Sequence, residues 1–257
     1  MGSGRVVEGK LTSALAASAS LPAPLSGSAH VPVLLTCARP AETAGQKLAD
    51  AVSDVLARKE FARLAISGGS ALEAACDARA RLADEWKRVV LTWADERCVP
   101  VASADSNRGA AALRGLLSLE GEAEPETDPL SVVALFEDGD DPRAAIARFG
   151  EAWHGKLGAG LDVVLLGMGP DGHVASLFPA LRPWPVGVPV AHVSKSPKPP
   201  ADRITLTREA LATASYVVLL ATGAEKRDAI RKLMLGDPTL PASGLGNLLV
   251  VTDQTLE

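Results

Sequence analysis

Short unbroken apolar runs alternate along this chain with stretches whose apolar residues recur at helical spacing. The runs are Val31 to Cys37, Leu64 to Ile66, Val89 to Trp93, Val132 to Leu135, the run from Leu161 that breaks at Gly167, Tyr216 to Ala221, and Leu248 to Thr252. Runs this short, without polar alternation, are those of strands buried on both faces of a parallel sheet. Between the first two, Pro40 opens a stretch in which Ala44, Leu48, Val52, Val55 and Leu56 share one helical face, predicting a helix to about Arg58. Further helices are expected over Ala71 to Leu82, Asn107 to Leu117 with Asp105 or Ser106 as N-cap, Pro142 to Leu157, Arg208 to Ala212, and Glu225 to Met234, with Val174 to Leu177 able to begin another. Ile204 to Leu206 reads as extended. Glu120 to Pro129 is acidic and turn-rich, a surface loop. Pro179 to Pro200 holds seven prolines and is a long connection rather than regular helix. The alternation predicts an α/β fold, a single domain built on a mainly parallel open sheet with helices on both faces.

At 257 residues one such domain accounts for the chain. Residues 1–30 are rich in Ala, Ser, Pro and Gly and read as a flexible leader, with the α/β domain spanning 31–257. Leu11 to Leu21 has the outline of a secretory h-region, but its apolar content is mostly alanine interrupted by Ser and Thr. No apolar run approaches the roughly 20 residues that span a bilayer, so no membrane partner is expected. A net charge of −5 argues against a general nucleic-acid binder and leaves room for a local basic pocket. Cys37, Cys76 and Cys98 are widely spaced with no Cys-x-x-Cys pair, which suggests neither a disulfide framework nor a zinc site and fits a reducing, cytoplasmic setting.

Polar residues cluster where the strands end, and in a parallel sheet those ends converge on one edge. Three clusters are Ser67-Gly68-Gly69-Ser70, Asp95-Glu96-Arg97, and Gly167 to His173, in which Asp171 and His173 stand on a glycine-rich turn. A fourth element, Thr222 to Lys226, puts a lysine in the first turn of a helix. The Ser-Gly-Gly-Ser turn offers backbone N–H groups and hydroxyls at a helix N-terminus, suited to phosphate, although a plain left-handed turn has the same composition. Gly167, Gly169 and Gly172 also spell a dinucleotide fingerprint. That motif wants a carboxylate about twenty positions on, where this chain has none. The residues alone leave open whether Asp95, Glu96 or Asp171 partners His173.

In order along the chain, Ser67-Gly68-Gly69-Ser70, Asp95-Glu96-Arg97, Asp105-Ser106-Asn107, Gly167 to Pro179, Arg203 to Thr207, and Gly223 with Lys226 resemble the motifs of the 6-phosphogluconolactonase family, within the group that includes glucosamine-6-phosphate deaminase/isomerase. The resemblance runs from about Val31 to Thr252. It implies that group's fold and hydrolysis of a sugar-phosphate lactone, 6-phospho-D-glucono-1,5-lactone, in the oxidative pentose phosphate pathway, by a monomer or small homo-oligomer with no cofactor. It implies His173 as base with Asp171 nearby, Arg97 and Asn107 lining the sugar site, Asp95 and Gly169 among the substrate-binding residues, and a phosphate site of Ser67 to Ser70, Arg203 and Lys226. The last two could otherwise be solvated surface charges. The chain departs from the family pattern at Ala71-Leu72, where Thr-Pro is usual, and at Arg108-Gly109, where an aromatic residue is common.

The chemistry follows from these groups. A lactone carbonyl is already electrophilic, so a neutral His173 can activate water, Asp171 can orient the imidazole, and Arg97 can face the developing oxyanion. There is no Gly-x-Ser-x-Gly elbow, which argues against an acyl-enzyme, and no convincing metal-ligand spacing. The deaminases carry a glutamate five positions after the histidine, where this chain has Phe178. A non-catalytic sugar-phosphate sensor would need an output domain, and the leader is too short to be one.

Overall fold

The computed structural model describes residues 31–119 and 128–256; the leader and most of the acidic Glu120 to Pro129 segment lie outside the described residues. Seven parallel strands form the main sheet: β1 (Val33–Thr36), β2 (Ala62–Ile66), β3 (Val89–Trp93), β5 (Ser131–Val133), β6 (Val163–Gly167), β9 (Tyr216–Ala221) and β10 (Leu248–Thr252), in the order β1-β10-β9-β6-β2-β3-β5. Every side chain of β3, β9 and β10 is buried, as expected for strands covered on both faces. Among the described residues no helix is long and apolar enough to cross a membrane.

Chain order moves outward through β2, β3 and β5, then reverses through β6, β9 and β10. Right-handed crossovers therefore put α1 (Pro40–Leu56) and α2 (Ala71–Leu82) on one face and α4 (Pro142–His154) and α6 (Arg227–Met234) on the other. The two directions meet between the neighbours β2 and β6, and the crevice beyond the carboxyl ends of such a pair is where open α/β sheets bind ligands. The turns after these strands are Ser67 to Ser70 and Met168 to His173.

A second sheet was not anticipated. Asp95 to Arg97, read as a polar strand end, is itself strand β4 (Asp95–Arg97), antiparallel to β8 (Arg203–Leu206), which pairs with β7 (Val190–Val193). β7 lies inside the proline-rich Pro179 to Pro200 segment, so that connection is partly sheet. The prolines flank the strand rather than interrupt it: Pro189 and Pro197 stand outside it, where a missing N–H costs no ladder bond.

Val174 to Leu177 begins no helix. Ala175 takes φ +51, and Val174 bridges both Met168 and Leu177 in an antiparallel sense, closing a tight loop. α3 (Asn107–Leu113) and α4 stop short of the predicted Leu117 and Leu157. The predicted helix from Glu225 begins as a 3-10 turn, Ala224–Lys226, ahead of α6, so Lys226 precedes the helix rather than lying in its first turn. A short α5 (Arg208–Leu211) leads into β9.

Candidate active site

Ser67 to Ser70, Asp95, Arg97, Asn107, Gly169, His173, Arg203 and Lys226 line one cavity of about 340 Å3. Of the predicted site residues only Asp171 is not on its wall, and its carboxylate is hydrogen-bonded to His173. The cavity opens beyond the carboxyl ends of β2 and β6, and the second sheet supplies β4 and β8 as its far side.

His173 Nδ1 lies 2.5 Å from Asp171 Oδ1. A carboxylate can only accept, so Nδ1 carries the proton and Nε2 is left as the basic nitrogen. Burial depresses the His173 pKa below the ordinary histidine value, partly offset by the Asp171 bond and charge; Lys198 adds to the depression. Burial pushes Asp171 upward, but its bond to His173 and the imidazole charge outweigh that and hold it below the usual carboxylate range. Both directions favour neutral imidazole beside ionised carboxylate. Gly169 permits the arrangement: a Cβ there would stand 2.1 Å from the His173 ring, and the Gly169 N–H closes the turn onto the His173 carbonyl at 3.0 Å. The Phe178 ring packs on the imidazole with centroids 4.5 Å apart. With no helix after this turn, the Gly-x-Gly-x-x-Gly spacing serves close packing and not a dinucleotide.

The other two carboxylates are occupied elsewhere. Glu96 is buried and accepts the N–H groups of Arg97, Asn107 and Arg108, the last two at the start of α3; burial raises its pKa and those bonds oppose the rise. Asp95 Oδ2 accepts from Ser176 Oγ at 2.6 Å and lies 3.7 Å from Arg203 Nη1. Asn107 donates from Nδ2 to the Asp95 carbonyl and presses so close to Gly68 that any Cβ there would overlap it.

Where α2 starts there is no side-chain cap, Gly69 takes φ +66, and the buried Ser67 hydroxyl has no partner among the described residues. A helix N-terminus with an unpaired buried hydroxyl beside it and Lys226 on the same cavity has the donors and charge to take an anionic oxygen group. Ala71 and Leu72 are buried, so the missing Thr-Pro removes a hydroxyl from behind the turn without opening it. Neither Arg108 nor Gly109 lines the cavity; Gly109 instead lets α3 approach the Val101 carbonyl.

Arg97 and Arg203 stand directly opposite in the β4–β8 register. Like charges so placed repel, and burial together with Arg97 depresses the Arg203 pKa, against Asp95. Arg203 is no solvated surface charge, since it is 4% exposed. Sequence reasoning missed Lys198 and Pro199 on the cavity wall and Ser176 behind it; the only signal was a lysine set among prolines in the segment expected to flank the site.

A switch-point cavity carrying four cations, a histidine–carboxylate pair and an anion cradle, in a chain of net charge −5, defines an α/β enzyme for a small phosphorylated substrate. Residues 37–251 match the family model for glucosamine-6-phosphate isomerases/6-phosphogluconolactonase, and the chain belongs to that family. It is 35% identical over 214 residues to a 6-phosphogluconolactonase of Mycobacterium leprae, covering 78% of this chain and 85% of the relative. It is 30% identical over 218 residues to 6-phosphogluconolactonase 3 of Saccharomyces cerevisiae, covering 79% and 84%. The crystal structure of 6-phosphogluconolactonase from Thermotoga maritima superposes with a TM-score of 0.71 at 27% identity, covering 87% of this chain and 98% of that one.

Proposed function

We propose that this chain is a 6-phosphogluconolactonase, hydrolysing 6-phospho-D-glucono-1,5-lactone to 6-phosphogluconate. The observation that carries the reading is the His173–Asp171 pair at the end of β6 with a buried Phe178, not a carboxylate, packed on the imidazole. The deaminase chemistry of the same family needs a titratable group to open the sugar ring, and phenylalanine cannot move a proton.

His173 Nε2 takes a proton from water as the oxygen attacks the lactone carbonyl carbon. The carbonyl π pair moves onto oxygen, where Arg97 faces the charge. Collapse re-forms the carbonyl and breaks the bond to the ring oxygen, which takes the proton back from the imidazolium. Asp171 stabilises that imidazolium and holds the Nδ1–H tautomer throughout. The phosphate rests on the α2 N-terminus with Ser67, Ser70 and Lys226, and Asn107 and Asp95 face the sugar hydroxyls. A cytoplasmic setting in the oxidative pentose phosphate pathway belongs to the same reading. The unpaired state of Cys37, Cys76 and Cys98 supports a reducing compartment.

The test is lactone consumption in excess of the spontaneous rate, alongside ammonia release from glucosamine 6-phosphate. Accelerated hydrolysis with no ammonia is expected; ammonia without lactonase activity would overturn the assignment.

A further inference from the structure

The Arg203 guanidinium is largely spent on backbone. Nε donates to the Pro200 carbonyl at 3.0 Å, and Nη2 to the Lys198 and Pro199 carbonyls at 3.1 and 3.0 Å. Nη1 faces Ser176 Oγ at 3.4 Å and Asp95 at 3.7 Å. A planar fork with its donors so engaged has little left for a phosphate dianion, but it fixes three consecutive carbonyls of a loop. That loop carries the exposed Lys198, which lines the cavity and whose side chain has no hydrogen-bond or ion-pair partner among the described residues. The Arg203 guanidinium that holds the Lys198 carbonyl lies 5.8 Å from the centre of the Phe178 ring, which itself packs on the His173 imidazole, so the loop stands beside the dyad, and the Lys198 charge is felt by His173 and Asp171. Lys198 and Lys226 both line the cavity.

We propose that Lys198 is a further substrate-contacting residue at the reacting end, paired with Arg97 against the oxyanion, and that Arg203 is a positioning residue that holds Lys198 there by clasping its loop. The inference rests on the lactonase reading. An ammonium facing the forming oxyanion strengthens its contact as charge develops, so its loss appears in kcat more than in KM. His173 is faced by Asp171 from its own turn, Asp95 from β4 and Lys198 from the loop before β8, so removing the lysine removes the one cation in that set and raises the pH at which the imidazole becomes neutral.

The experiment measures kcat, KM and the pH profile of Lys198→Gln, Lys198→Arg, Arg203→Lys and the double variant Lys198→Gln with Arg203→Lys, on both 6-phosphogluconolactone and unphosphorylated gluconolactone. Lys198→Gln is expected to lower kcat by roughly ten- to a hundredfold on both lactones with little change in KM, and to move the acid limb to higher pH. Lys198→Arg should recover much of the loss. Arg203→Lys keeps a charge but not the three-carbonyl fork; it should lower kcat similarly and add little in the double variant, because it acts through Lys198. Wild-type kcat in Lys198→Gln overturns the proposal while leaving the lactonase reading intact. A loss confined to KM for the phosphorylated lactone overturns it in favour of a phosphate contact, and fully multiplicative losses in the double variant overturn the clasp. An inactive wild type overturns the lactonase reading, and the proposal with it.

Discussion

Asp171 and His173 meet at 2.5 Å on one turn, closer than residues two apart on an ordinary loop need to be, because Gly169 leaves the space that the imidazole occupies. The pair is therefore built by local backbone geometry at the end of β6, and the distant elements only enclose it.

Removal of the base is the first expectation. His173→Ala should fold and lose about 10² to 10⁴ in kcat after subtraction of spontaneous hydrolysis. The acid limb of kcat/KM in the wild type should lie below the ordinary histidine pKa, since burial disfavours the imidazolium. Asp171→Asn removes a charge that favours the imidazolium, so the limb should move to still lower pH while kcat falls on the order of a hundredfold. A limb that moved upward would mean that Asp171 does not face the titrating group.

Gly169→Ala tests the turn. The added Cβ would lie 2.1 Å from His173 Cε1 and 2.8 Å from Asp171 Oδ1, so the dyad must shift. Overpacking of this kind costs about 1–3 kcal/mol, and displacement of a catalytic group by about 1 Å costs roughly a hundredfold in rate. Thermal unfolding and kcat should both fall. Gly150→Ala, in α4 with open space around it, serves as the control and should be neutral or slightly stabilising.

Lys226→Ala tests the phosphate end. A hydrogen bond to a charged group contributes about 1.5–3 kcal/mol, so kcat/KM for the phosphorylated lactone should drop roughly ten- to a hundredfold. Unphosphorylated gluconolactone never uses that contact and should be hydrolysed as by the wild type. Equal losses on both substrates would move Lys226 from recognition to the fold.

Val89–Trp93, Tyr216–Ala221, Leu248–Thr252 and α2 have the bounds their apolar patterns predict, because a strand buried on both faces or an amphipathic helix writes its environment into adjacent residues. Lys198 and the second sheet were not legible in that way. β4 is three polar residues and β7 a short run between prolines; each is a strand only because β8 supplies the facing carbonyls and N–H groups. Longer-range pairing also removes the rival carboxylates, although the Asp171–His173 contact itself is local to its turn. Asp95 is drawn to Ser176, 81 residues away, and Glu96 to the start of α3, which leaves Asp171 for His173. Period and composition carry the parallel sheet, its edge of polar turns and the histidine on one of them. Partnership among buried charges depends on which donors long-range pairing brings within hydrogen-bond reach, and no local pattern encodes that distance.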